Sequence, residues 1–250
     1  MKINERIDYI VNWINDYCIN EKKFPITLVV GVSGGIDSAV TSTLCAKTKL
    51  KVIAVSIPIK QNNKQHNLSL LHLKWLKDHF NNVDTNILNL DDTFKSFYKS
   101  LTDMKFNSEL GFANSKSRLR MTALYQIAQS NNGLVVGTGN KVEDFGVGFY
   151  TKYGDGGVDI APIADCTKNE VWEIGKELGI LEDIVTAIPT DGLWDDGRTD
   201  ENQMGLTYTQ IEEAMKNKKS KFYKKYSKIR IMNLHKMSPI PVCKIKKNVK

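Results

Sequence analysis

Thr27 to Ser38 reads TLVVGVSGGIDS, and this stretch decides the fold. Thr27 to Val32 is a short apolar run rich in β-branched residues, Ser33-Gly34-Gly35 forms a turn, and Ala39, Val40 and Leu44 continue at helical spacing. The reading is strand, glycine loop, helix. The alternation continues with Val52 to Ile57 as strand, His66 to Phe80 as helix, Val83 to Leu90 as strand, Ser115 to Ser130 as helix and Leu134 to Gly137 as strand. This predicts an α/β, doubly wound fold: a mostly parallel sheet with helices on both faces.

Upstream, Ile3, Ile7, Ile10, Val11 and Ile14 predict an amphipathic helix ending near Asn20. After Gly139 the chain turns glycine- and charge-rich, then predicts helices over Lys168 to Leu178 and around Thr209 to Met215. The loop between them, Pro189 to Gln203, holds five acids: Asp191, Asp195, Asp196, Asp200 and Glu201. Loops of this length in compact domains tend to be lids or binding segments.

At 250 residues, 41% hydrophobic and 25% charged, the chain falls within globular usage, and one domain over 1–250 is expected. Cys18, Cys45, Cys166 and Cys243 lie far apart, with no C-x-x-C pair and no clustered histidines. Neither a disulfide framework nor a zinc site is suggested, which fits a reducing cytoplasm. There is no signal pattern and no run near the ~18 apolar residues of a membrane span, so a soluble protein is expected. Of the net charge of +7, the segment 216–250 supplies 13 Lys/Arg and no acid, leaving 22 basic against 28 acidic residues elsewhere. The simplest reading of that basic C-terminal segment is a solvated, partly mobile terminus. Phe222, Tyr223 and Tyr226 there look like the apolar stripe of a short helix rather than a base-stacking platform, so no nucleic-acid partner is expected.

Ser33-Gly34-Gly35-Ile36-Asp37-Ser38 stands at a strand end and a helix start, where unpaired N–H groups and the helix dipole favour anionic oxygen. Adjacent glycines let the backbone approach a phosphate, Ser33 and Ser38 add hydroxyl donors, and Asp37 offers a hard oxygen for Mg²⁺. The Walker lysine is absent. The alternative is a tight turn with a helix N-cap, since Ser, Gly and Asp suit any such turn.

The loop resembles the pyrophosphate loop of the ATP pyrophosphatases, which cleave ATP between its α and β phosphates and adenylate a substrate oxygen. Three further segments narrow the resemblance to the NAD synthetase family: Asn114-Ser-Lys-Ser-Arg118-Leu-Arg-Met121, Gly137-Thr138-Gly-Asn-Lys-Val-Glu143, and Phe149-Tyr-Thr-Lys152-Tyr-Gly-Asp155-Gly-Gly-Val-Asp159. The likeness runs from about Lys2 to Lys236, with the motifs in family order, and implies an adenine nucleotide alpha hydrolase-like, Rossmann-like fold. It implies that Gly31, Val32, Ser33, Gly34, Gly35, Ile36, Asp37 and Ser38 bind ATP together with Thr138, Lys168 and Thr190. It further implies that Asp37 and Glu143 hold Mg²⁺, and that Arg118, Lys152, Asp159, His235 and Lys236 hold deamido-NAD. Two departures stand out: Met237 follows the His235-Lys236 pair where many members carry arginine, and Arg198 replaces a common glutamine.

The implied reaction amidates the nicotinate carboxylate of deamido-NAD in two steps, adenylation by ATP and then displacement of AMP by ammonia. Asp37 and Lys168 would serve the first step, and Asp155 the binding of ammonium and removal of its proton. The resemblance also implies a homodimer, and 250 residues leave no room for a glutaminase domain beside the synthetase. Rival readings are another pyrophosphatase-loop ligase, such as a tRNA thiolase or the synthetase part of a GMP synthetase, and a nucleotide-binding sensor of similar topology. The absent C-x-x-C argues against thiolation, the K-Y-G-D-G block against both ligases. A sensor would not need Asp37, Glu143 and Lys168 together.

Overall fold

The computed structural model describes residues 1–21, 26–61, 63–194 and 196–245. Asp195 of the acidic loop and residues 246–250 of the basic segment lie outside the described residues. Four strands, β1 (Thr27–Gly31), β2 (Val52–Ser56), β3 (Val83–Ile87) and β4 (Gly133–Val136), form one sheet in the order β3-β2-β1-β4. Every pairing is parallel, with Val30 opposite Ala54 on one side and Val136 on the other.

Strand alternation explains why both faces had to be covered. Leu28 and Val30 point into a core with Ile7, Ile10 and Ile14 of α1 (Ile3–Asp16), Ala39, Val40 and Leu44 of α2 (Ile36–Lys47), and Leu73 and Leu76 of α3 (Asn63–His79). Val29, Ile53, Val55 and Val135 point the other way, against a helix over Glu109–Ser130. A parallel strand buried on both faces reads as continuous apolar sequence, as TLVVGV does.

Two helices before β4 depart from the sequence reading, and after it α7 (Glu182–Val185) was not expected and α8 (Asp200–Met204) takes up the end of the expected loop Pro189 to Gln203. α4 (Asp91–Asp103) occupies a stretch for which no element was expected, and places Phe94 against Ile59 and Phe112. α5 (Glu109–Ser130) starts earlier than Ser115, because the Ser108 hydroxyl accepts from the Gly111 amide at 3.1 Å and caps it there. The expected strand Val83 to Leu90 ends at Ile87.

Beyond β4 the chain makes a π-helical turn, Lys141–Val147, then α6 (Lys168–Glu177), α7 (Glu182–Val185), α8 (Asp200–Met204), α9 (Tyr208–Lys216) and α10 (Tyr223–Met237). Val142, Val147, Met204, Tyr208, Ile211, Ala214 and Tyr226 build a second, smaller core. The basic segment is therefore not simply a solvated terminus. Over Tyr223–Met237 it is a helix tied down by Arg230, which donates to the Gly146 carbonyl at 2.9 Å and also to that of Phe145. Among the described residues no helix is long and apolar enough to cross a membrane.

The chain winds from β1 outward through β2 and β3, then crosses to β4 on the other side of β1. That reversal leaves a crevice outside the carboxyl ends of β1 and β4, where open α/β sheets bind ligands. The glycine loop follows β1 and the Gly137-Thr138-Gly139-Asn140 turn follows β4, so both motifs open into this crevice.

Candidate active site

The crevice is a cavity of about 540 Å³. On its floor, the loop after β1 is braced from within: Ser38 Oγ accepts from the Ser33 amide at 3.1 Å and donates to the Gly35 carbonyl at 2.9 Å. Gly34 has φ +92°, and a Cβ there would stand 2.4 Å from the Gln65 carbonyl oxygen, so glycine is required by both conformation and space. Gly35 begins α2 with no side-chain cap, which leaves the first amides of the helix to a ligand.

Facing the loop is Lys168, 1% exposed at the first position of α6. Its Nζ donates to Asp37 Oδ2 at 2.5 Å and to Glu143 Oε1 at 3.0 Å. Burial alone would lower its pKa, but the two carboxylates reverse the sign and raise it, so the ammonium is held charged. A cation at a helix N-terminus opposes the dipole; the two carboxylates provide the compensation. Burial also pushes the Asp37 carboxyl up, only partly offset by Lys168. At Glu143 burial is outweighed by Lys168 and Tyr208, which hold it below the usual range.

Asn140 orients both acids and is fully buried. Its Nδ2 donates to Asp37 Oδ1 at 3.1 Å, and its Oδ1 accepts from the amides of Val142 and Glu143 at 3.0 and 3.1 Å. Tyr208 donates to Glu143 Oε1 at 2.5 Å and lies 3.3 Å from Asp200 Oδ2. A phenol has one proton for these two carboxyl groups, and the shorter contact identifies Glu143 as its acceptor. Burial and the nearby Glu143 push Asp200 up to about 7. Asp144, also lining the cavity, is pushed well above the usual range by burial and by Glu143, Asp155 and Asp37.

The two carboxylates gathered on Lys168 fit a hard divalent ion of the Mg²⁺ type, which commonly takes one or two protein carboxylates and fills its shell with water and substrate phosphates. Among the described residues no group of three or more His, Cys, Asp or Glu side chains is arranged to hold a metal by itself.

Asp155 lines the same cavity, its Oδ1 accepting from Ser117 Oγ at 2.8 Å and the Thr151 amide at 2.9 Å. Burial raises its pKa, and those hydrogen bonds offset part of the rise. The acidic loop crosses the cavity: Gln65 Nε2 donates to the Thr190 carbonyl at 3.3 Å, Lys116 Nζ to the Leu193 carbonyl at 2.9 Å, and the Asp200 amide to the Pro189 carbonyl at 3.1 Å. Arg198 turns to Asp196 at 2.5 Å and stacks on Trp194 at 4.1 Å. Met237 Sδ accepts from Arg230 Nη1 at 3.7 Å.

Thus Gly31 through Ser38, Thr138, Glu143, Asp155, Lys168, Thr190 and Lys236 all line one cavity. Arg118, Lys152, Asp159 and His235 do not. Arg118 is exposed, its Nε donating to the Lys152 carbonyl at 3.3 Å, and Lys152 Nζ donates to the His235 carbonyl at 3.2 Å. Asp159 accepts from Tyr125 at 3.2 Å and the Val135 amide at 2.8 Å. Asn140, Asp144, Asp200 and Tyr208 were not singled out from the sequence. Asn140 lay inside a quoted motif and Asp200 inside the acidic loop, but nothing local marked Tyr208, 65 positions from Glu143.

The sequence matches the family described as NAD synthase over residues 6–250. It is 39% identical over 220 residues to the NH(3)-dependent NAD(+) synthetase of Carboxydothermus hydrogenoformans, covering 86% of this chain and 87% of that one. The enzyme of the same description from Mesoplasma florum is 36% identical over 242 residues, 95% of this chain and 93% of the relative. Among solved structures, NMN synthetase from Francisella tularensis superposes with a TM-score of 0.88 at 31% identity, covering 98% of this chain and all of that one.

Proposed function

The chain belongs to the NAD synthase family, and from that premise we propose that the cavity amidates a pyridine nucleotide carboxylate at the expense of ATP. The activity is that of an ammonia-dependent NAD synthetase, a ligase that converts deamido-NAD, ATP and ammonia into NAD, AMP and pyrophosphate. The observation that carries the reading is the meeting of the glycine loop with Lys168, Asp37 and Glu143 across a single cavity.

A carboxylate is a poor acyl donor because its leaving group would be oxide. In the first step a nicotinate oxygen attacks the α-phosphorus, the bond from that phosphorus to the bridging oxygen breaks, and pyrophosphate leaves. Gly31 through Ser38 cradle the phosphates with backbone amides and hydroxyls, helped by Thr138 and Thr190. Lys168 offsets charge growing on the phosphoryl oxygens. Asp37 and Glu143 would hold Mg²⁺, which supplies Lewis-acid charge neutralisation when bound.

In the second step ammonia attacks the acyl carbon, the bond to the AMP oxygen breaks, and nitrogen gives up a proton. Asp155 is the group assigned to bind ammonium and take that proton, since it faces the cavity and burial raises its pKa above the usual carboxylate range, making it a stronger base. Lys236 faces the same cavity and, with Arg118, Lys152, Asp159 and His235 outside it, is assigned to the dinucleotide. Residues 1–250 act as one synthetase domain, in a cytoplasmic homodimer.

A second reading has one observation in its favour, the 31% identity to a synthetase of NMN. It keeps the chemistry and shortens the substrate to the mononucleotide. The test is to supply the protein, ATP and Mg²⁺ with deamido-NAD or nicotinate mononucleotide, each with ammonium or glutamine, and to follow amide product, AMP and pyrophosphate. NAD and AMP forming together with ammonium, and scarcely with glutamine, is the expected result. Faster turnover of the mononucleotide would select the second reading, and ATP binding without turnover would remove both.

A further inference from the structure

The cations facing the cavity are not equally provided for. Lys168 has two carboxylates. Lys236 donates to the carbonyls of Gly148 and Tyr150 at 2.9 and 2.8 Å. Arg120, on α5, lines the same cavity, and among the described residues the one polar contact of its guanidinium is Nε donating to the Ile57 carbonyl at 2.9 Å. No carboxylate stands within ion-pair distance of it among those residues, although Asp155 and Asp191 are near enough to be felt electrostatically.

Arg120 is half-buried, and a guanidinium partly withdrawn from water without an anionic partner is costly where a smaller donor could support one backbone carbonyl. With Nε engaged by Ile57, the two Nη groups remain as a planar fork, the shape that grips a phosphate or carboxylate through two parallel hydrogen bonds. The position within α5 sets what it meets. Asn114, Ser117, Arg120, Met121 and Leu124 all line the cavity from this helix, and Ser117 one turn earlier already holds Asp155. Arg118, the arginine singled out from the sequence, points outward two positions away.

We propose that Arg120 is a substrate-binding residue whose guanidinium receives an anionic group at the reacting centre, a phosphate of ATP or the carboxylate to be amidated. This rests on the amide-ligase reading above and adds to it a specific anion receptor on α5. Neutralising the negative charge of either group lets carboxylate and phosphate approach one another, which their mutual repulsion otherwise resists.

The test compares Arg120→Gln with wild type in binding two pairs of probes that differ in charge: Mg-ATP against adenosine, and deamido-NAD against NAD, its neutral amide counterpart at the pyridine ring. Loss of affinity of about tenfold or more is expected for the member of one pair that carries the extra anionic group, with its counterpart lacking that group moved less than about twofold. The pair that separates identifies the source of the anion. Equal losses within both pairs, or none, would overturn the proposal and leave Arg120 as a strut beneath Ile57. If circular dichroism shows Arg120→Gln unfolded, Arg120→Lys replaces it, keeping charge but losing the fork; the same selective loss, smaller in size, is then expected, and equal losses or none again overturn the proposal. Wild-type protein that binds neither ATP nor deamido-NAD would sink the ligase reading itself, whereas wild-type turnover with an indifferent Arg120→Gln sinks only this inference.

Discussion

Replacing Lys168 by methionine keeps most of its volume and removes the charge between Asp37 and Glu143. In the wild type both carboxylates lie within 3.0 Å of Nζ, at 18% and 15% exposure. Leaving buried partners uncompensated costs about 3–5 kcal/mol, and part of that is escaped if the acids take up protons. The sign with pH follows. Without the ammonium, burial and mutual repulsion raise the folded pKa of the pair above the unfolded value near 4. Such a contribution is fully present below the unfolded pKa and is lost as pH rises through the folded one. Lys168→Met should therefore be least destabilised near pH 4 and increasingly so toward pH 8. With a urea m-value of about 3 kcal/mol/M, the midpoint at pH 8 should fall by roughly 1 M or more. A divalent cation binding the freed carboxylates should recover about 2.7 kcal/mol at a hundred times its Kd, and more in the variant than in wild type. The assay is urea unfolding at the two pH values, with and without Mg²⁺, alongside loss of NAD formation. A wild-type midpoint at pH 8, or a deficit indifferent to pH, would refute the reasoning.

Gly34→Ala, forced to φ +92° with its methyl 2.4 Å from the Gln65 carbonyl, should cost about 1–3 kcal/mol and raise the KM for ATP tenfold or more, read by thermal melting and initial rates; unchanged ATP affinity would show that the loop does not cradle phosphate. Tyr208→Phe removes the donor to Glu143, should lose about 1.5–3 kcal/mol of stability, and should raise the Mg²⁺ concentration for half-maximal activity, which a metal titration of the rate would reveal. Buried His72, bonded through Nε2 to Ser42 at 2.9 Å, is lowered by burial to about 4, so its contribution is whole above pH 6.5 and lost as pH falls toward 4. That loss is worth up to roughly 3 kcal/mol, and His72→Asn should flatten the acid limb of the stability profile; an unchanged limb would assign the acid lability elsewhere.

The sequence by itself determined the parallel sheet and the position of its phosphate loop. Both are written locally: TLVVGV is apolar throughout because β1 is buried on two faces, and the turn beside it needs glycine at Gly34. The start of α5 was missed because capping by Ser108 moves it upstream of the strongest periodicity, whereas α4 was legible, since Phe94, Phe97, Tyr98 and Leu101 stand at helical spacing behind Asp91 and Asp92. Among site residues, Asp37, Glu143 and Lys168 were legible one motif at a time, but that they are neighbours was not. Lys168 lies 131 positions from Asp37, and only winding β4 back beside β1 and packing α6 on α2 brings them to 2.5 Å. Tyr208 and Asp200 reach Glu143 through the second core, which no local pattern announces. The inward turn of Arg120 against the outward turn of Arg118 is likewise decided by tertiary structure, since two arginines two apart on a helix face different ways and only packing of α5 on the sheet says which one meets the cavity. Local residue chemistry can announce a ligand; charge balance among buried groups depends on distances that chain order does not contain.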